Sequence, residues 1–237
     1  MKRSARRRGG ISLSVALLLM GVAIATPAQN KSRMQDAGRH ASDAAKVFTE
    51  IMNVRDKAIP KELLDKAEAI AVFPGVIKAA FIFGGRGGQG VISKRQKNGW
   101  SAPAFFNLTG GSFGAQIGAQ KNDYVFLIMN EDGVKGLLED KFEMGGEAGI
   151  VAGPVGREAA ASTNATLDAG ILSYSRSKGA FIGAALKGVA ISPDNDLNGA
   201  VYNMKAKEML MGKPMTIATM PASVRIFPRT LARYSIR

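Results

Sequence analysis

Three places in this chain hold residue types at spacings that could do chemistry. Gly85-Arg86-Gly87-Gly88-Gln89-Gly90 has the spacing G-x-G-x-x-G. In dinucleotide-binding folds such a run turns from a strand into a helix, whose amides then meet a pyrophosphate. Here Val91-Ile92-Ser93 continues as strand, and no acid stands about twenty residues on to hold a ribose. Gly110-Gly111-Ser112-Phe113-Gly114 has the spacing of a hydrolase nucleophile elbow, which needs a helix next and a histidine later in the chain. The single histidine, His40, comes before the serine, and a strand pattern follows. One histidine and no cysteine cannot build a zinc site. Glu131-Asp132 and Glu139-Asp140 read as solvated helix ends. The residues therefore predict no enzyme, no cofactor and no metal.

Charge says more. Between Ala69 and Asn122 there is no acid, while Lys78, Arg86, Lys94, Arg95, Lys97 and Lys121 are basic. From Asp123 to Asp168 acids dominate, and after Glu208 only bases occur. Such segregation favours an anionic partner. With one Trp and four Tyr the chain has few rings for stacking bases, which argues against nucleic acid. Membranes remain, since anionic head groups attract well-placed Lys and Arg by about 1 kcal/mol each. Phe81, Phe83, Phe105 and Phe106 lie in the same acid-free stretch, as core or as lipid-inserting rings.

The elements that must position these residues follow from pattern. Lys2, Arg3, Arg6, Arg7 and Arg8, an apolar run from Ile11 to Ile24 and small residues up to Ala25 or Ala28 read as a secretory signal over 1–28. Removing those five cations takes the net charge from +13 to +8. Residues 29–34 read as a polar lead. From Gln35 to Asn53, Ala37, Ala41, Ala44, Ala45, Phe48 and Ile51 recur at helical spacing, and Pro60 opens a second short helix. Strands are expected over 69–73, 79–83, 90–95, 113–119, 124–129, 148–152, 169–175 and 180–191. Asn98-Gly99 marks a hairpin and a short helix falls near 134–138. Glycine within strands, 28 in the whole chain, predicts bends and close backbone approaches. The fold class expected is α+β: a curved, mainly antiparallel glycine-rich sheet or small barrel with N-terminal helices packed on it. One domain spans 35–212, and 213–237 reads as a basic tail.

Several of these runs, in order, resemble the SYLF domain family. They are Ile59-Pro60, Ala69-Ile70-Ala71-Val72-Phe73, Val76-Ile77-Lys78-Ala79, Gly87-Gly88-Gln89-Gly90-Val91, Gly99-Trp100-Ser101-Ala102-Pro103 and Gly114-Ala115-Gln116-Ile117-Gly118-Ala119. Gly153-Pro154-Val155-Gly156-Arg157, Tyr174-Ser175-Arg176-Ser177-Lys178-Gly179 and Leu186-Lys187-Gly188 continue the likeness, which covers about 36–211. The resemblance implies binding of phosphoinositides or other anionic lipids and, in eukaryotic relatives, association with actin. Combined with an export signal, it implies a peripheral, non-catalytic lipid-binding protein of the bacterial periplasm, or a secreted one. Phosphatidylglycerol or cardiolipin would then be the partner rather than actin or nucleic acid. Candidate head-group contacts are Lys78, Arg86, Lys94, Arg95 and Lys97 from the acid-free stretch, with Arg157, Arg176 and Lys178 from the motifs. The alternative is a structural envelope protein that binds a protein partner or itself through the same basic surface.

Overall fold

The computed structural model describes residues 27–54, 58–80, 83–97, 99–113, 118–139, 142–144, 150–156, 169–177, 180–184, 186, 188–212, 215 and 217–235. Its first helix, α1 (Pro27–Met52), buries the expected stripe Ala37, Ala41, Ala44, Ala45, Phe48 and Ile51. Four of these six are alanines, so the helix axis can lie close to what it covers. It begins at Pro27, and the polar lead is helical too, because Gln, Lys and Arg are good helix formers even without an apolar face. Pro60 precedes α2 (Lys61–Lys66), which buries Leu63 and Leu64.

The centre of the sheet is β1 (Ala69–Ala80), and it corrects one expectation. Pro74-Gly75 does not end the strand. One extra residue enters between Val72 and Ile77 on one side and between Phe73 and Val76 on the other, and pairing resumes. That is a β-bulge, a place where a strand admits a residue without an N–H and a glycine at positive φ. Gly75 has φ +58°, and its N–H donates to the Asp123 carboxylate at 2.7 Å.

β2 (Phe83–Gln96) follows and contains the whole G-x-G-x-x-G run as strand. It turns near Gly99 into β3 (Gly99–Trp100), as the hairpin signal predicts, although Asn98 lies outside the described residues. Then come β4 (Ala104–Phe113), which no strand signal had marked, and β5 (Gly118–Ile128). Residues 114–117, at the middle of the strand expected over 113–119, lie outside the described residues. Asn130 caps α3 (Glu131–Gly136) by accepting from Gly133 N–H at 2.8 Å. β6 (Phe142–Met144), β7 (Ile150–Ala152), β8 (Ile171–Ser177), β9 (Ala180–Gly183) and β10 (Val189–Pro193) complete the set. The expected strand 180–191 is therefore two, parted at Gly188, where φ is +66°.

The sheet runs β6-β10-β4-β2-β1-β5-β8-β7, curls into a half-barrel, and is antiparallel except where β7 meets β8. Register sorts its two faces. Phe73, Phe106, Leu108, Tyr124 and Phe126 share one, with Phe73 edge-on to Phe126 at 5.8 Å. A Cβ at Gly90 would stand 2.5 Å from the Phe73 ring, so glycine there lets the ring lie across β2. Val72, Val91, Phe105, Val125 and Leu127 share the other face, beneath α1, whose His40 ring stands 6.5 Å from Phe105. Phe105 and Phe106 are fully buried and face no lipid.

The C-terminal stretch departs most from expectation. After α4 (Asn195–Tyr202) and α5 (Ala206–Met211), residues 213–237 hold a 3-10 turn (Ala222–Val224) and α6 (Ile226–Tyr234). Val224, Phe227 and Leu231 are completely buried, and Tyr234 packs edge-on to Phe48 of α1 at 5.8 Å. The stretch 222–234 is a core element with Arg229 and Arg233 exposed, while Arg225 donates to the Met220 and Ala218 carbonyls. Burying Phe227 contributes about 1.5–3 kcal/mol by itself.

Candidate functional site

Among the basic residues named by the sequence, several work inside the fold. Arg95, on β2, donates to the carbonyls of Ala67 (2.8 Å) and Leu64 and to the Ser235 hydroxyl (2.8 Å). Its guanidinium also stacks over Trp100 at 4.3 Å. It ties α2, β3 and the end of the chain together. Lys94 is paired with Glu131 at 3.2 Å and is only 17% exposed. Arg176, on β8, lies directly opposite Asp123 of β5 and donates to it at 2.7 and 2.9 Å. It also bonds Glu50 of α1. Burial opposes its charge, but the hydrogen bonds to Glu50 and Asp123 outweigh that and hold its pKa above the ordinary arginine value. Arg176 is thus a lock between α1 and the sheet, and Asp123 extends it to the bulge at Gly75. The charges of these three expected lipid contacts are already partnered within the fold. Arg157 and Lys178 lie outside the described residues.

Lys78, Arg86 and Lys97 remain. Lys97 is exposed beside the β2–β3 turn, at the far end of β2 from Arg86. Eleven positions along a strand separate them, roughly 35 Å at about 3.3 Å per residue. The sheet therefore does not gather the expected cations on one face. It brings together a different group. Lys78 and Arg86 are opposite one another on β1 and β2, and Ile77, 56% exposed, is opposite Lys121 on β5. Ile77 and Lys121 project from the face beneath α1, and Lys78 and Arg86 from the other. All four sit at the same end of the central strands. Among the described residues none of Lys78, Arg86 and Lys121 has a carboxylate within ion-pair distance. Around them Gly85, Gly87, Gly111, Ala79 and Ala119 leave the sheet nearly bare of side chains. Lys121 belongs to the acid-free stretch but to none of the expected contacts, and Ile77 carries no signal in the sequence, since its exposure depends on where α1 stops covering the sheet.

A cleft of about 560 Å³ lies between the polar side of α1 and this end of the sheet. Arg39, Asp43, Lys46 and Glu50 line one wall, and Gly87, Gly88 and Lys121 the other. His40 stands in it with its pKa lowered, mainly by burial and then by the neighbouring Arg39. Signs are mixed, and among the described residues no group of three metal-ligating side chains gathers here or elsewhere. Ser112 lies in strand β4, without the strand-to-helix turn that a nucleophile elbow needs.

Residues 109–234 match a family model described as "Ysc84: Las17-binding protein actin regulator". The chain belongs to the Ysc84 family. This is the SYLF likeness of the sequence, now seen with the β4–α6 half of the fold inside the family's bounds. Family relatives include "LAS seventeen-binding protein 3" of Saccharomyces cerevisiae, 39% identical over 164 residues, 67% of this chain and 36% of the relative. "Protein YSC84" of the same yeast is 37% identical over 164 residues, 67% and 35% of the two chains. "SH3 domain-containing YSC84-like protein 1" of Xenopus laevis is 31% identical over 189 residues, 77% and 56%. The chain spans about a third to just over half the length of these curated relatives. The family description names binding and regulation as its activities.

Proposed function

We propose that this Ysc84-family chain is a non-catalytic module that docks peripherally on anionic phospholipid membranes, end-on, through Lys78, Arg86, Lys121 and Ile77. The observation that carries the proposal is the gathering, at one end of the sheet, of one exposed isoleucine and three cations that form no ion pair among the described residues. No helix among the described residues is long and apolar enough to cross a membrane, so docking rests on this surface. Three cations at about 1 kcal/mol each and an isoleucine worth about 1.5–3 kcal/mol on burial give about 5 kcal/mol. That corresponds to submillimolar affinity, so docking is reversible and depends on dense surface charge. The basic, apolar and small-residue start of the chain supports export, and we place the module at the periplasmic side of a bacterial envelope, facing phosphatidylglycerol or cardiolipin. Recovery of the protein in a periplasmic fraction, cut after Ala25 or Ala28, tests that placement; an uncut cytoplasmic protein sinks it.

Co-sedimentation with vesicles tests the docking. Phosphatidylglycerol vesicles should retain the protein and phosphatidylcholine vesicles should not, and the triple change Lys78→Glu, Arg86→Glu, Lys121→Glu should abolish retention. Equal retention on neutral vesicles, or indifference to the triple change, counts against it. The family description favours protein binding as a second reading, and in that reading we infer that the same basic end meets an acidic protein instead. Absence of retention on every vesicle, with a protein partner lost in the triple variant, would select it.

A further inference from the structure

The cross-strand register places four residues in a row on one face: Gly110 on β4, Arg86 on β2, Lys78 on β1 and Gln120 on β5. Like charges directly opposite one another destabilise a sheet, yet Arg86 and Lys78 are so placed with no acid in either flanking strand segment. A second observation is independent of the first. The Arg86 Nε is buried and has no acceptor among the described residues. Its stem lies flat over Gly110, where an added Cβ would approach Arg86 Cγ at 3.1 Å and the Gly188 carbonyl at 2.6 Å. The guanidinium is therefore held in place by packing rather than by an acceptor. A buried N–H with no acceptor and a like-charge pair with no ion-pair partner, both among the described residues, favour binding of an anionic acceptor here.

We infer that Lys78 and Arg86 together bind one phosphate-type oxyanion, with the Gln120 carboxamide on the same row as a further donor. This rests on the membrane reading and deepens it, since the phosphodiester of a lipid head group and the phosphate of a soluble ester share the chemistry. Guanidinium forks match phosphate oxygens, and an ammonium adds a point charge without demanding geometry.

The test uses the full-length protein at low salt. Added sodium phosphate, compared with sodium chloride of equal ionic strength, should raise Tm saturably. Lys78→Gln and Arg86→Gln should each lose that rise, and without phosphate each should melt no lower than the native chain, because the repulsion is gone. Lys207→Gln, an exposed lysine of α5, serves as the charge control and should keep it. In a second arm each site variant should weaken binding to phosphatidylglycerol vesicles about fivefold, the effect of one well-placed charge. Loss of the phosphate effect together with weaker vesicle binding supports a lipid source. Loss of the phosphate effect in a protein that binds no vesicle supports the site with a soluble ester and overturns the membrane reading. A phosphate effect and vesicle binding that change no more in the site variants than in Lys207→Gln overturn the site, even where membrane docking itself survives.

Discussion

Arg176 shows how a basic side chain can look available in a sequence and be occupied in the fold. It closes a chain of contacts from the α1 carboxylate Glu50 through Asp123 to the bulge amide of Gly75. Arg176→Ala would leave two half-buried carboxylates facing each other, and should lower unfolding free energy by about 1–3 kcal/mol in urea titration. Arg95 and Lys97 make a contrasting pair. Arg95→Glu should lower Tm by several degrees without any lipid present, since its carbonyl partners and Trp100 lose their cation. Lys97→Glu should change neither Tm nor vesicle retention. His40 sets a pH dependence. Its pKa is lowered in the folded state from 6.5, chiefly by burial, so the unfolded chain takes up a proton first as pH falls. Stability should be fullest above pH 6.5 and decline below it, and a His40→Gln variant should show a flatter Tm profile in that range.

At the scale of elements, α1 was legible because six apolar residues keep one helical phase over four turns, and the Asn98-Gly99 signal found its hairpin. The bulge at Pro74-Gly75 was not, because the same dipeptide ends most strands and only a carboxylate 48 residues away holds it in this one. The hidden helix α6 did carry a signal: Val224, Phe227 and Leu231 fall at spacings of three and four. It was masked by Arg225, Arg229 and Arg233, which read as a solvated tail. Phe227→Ala should cost about 3–5 kcal/mol in chemical denaturation, a loss that a disordered tail could not produce. Of the candidate site, the sequence supplied the residue types and the acid-free window. It could not supply register, which puts Lys78 beside Arg86 and Lys97 at the other end of the same strand.

Taken whole, the molecule segregates its charge by position along the strands rather than by side of the sheet. Acids of the 123–168 stretch neutralise Lys94 and Arg176, while Lys78, Arg86 and Lys121 are left without them at one pole. The other pole is closed by Ser235, the last described residue, whose hydroxyl meets Arg95, Leu64 and Asp65 and whose carbonyl accepts from the Trp100 indole. During synthesis the first helix has no finished seat until α6, whose Tyr234 packs on Phe48, leaves the ribosome. Nascent chains stalled before α6 should leave α1 open to protease, and a chain in that state can still be threaded through a narrow passage.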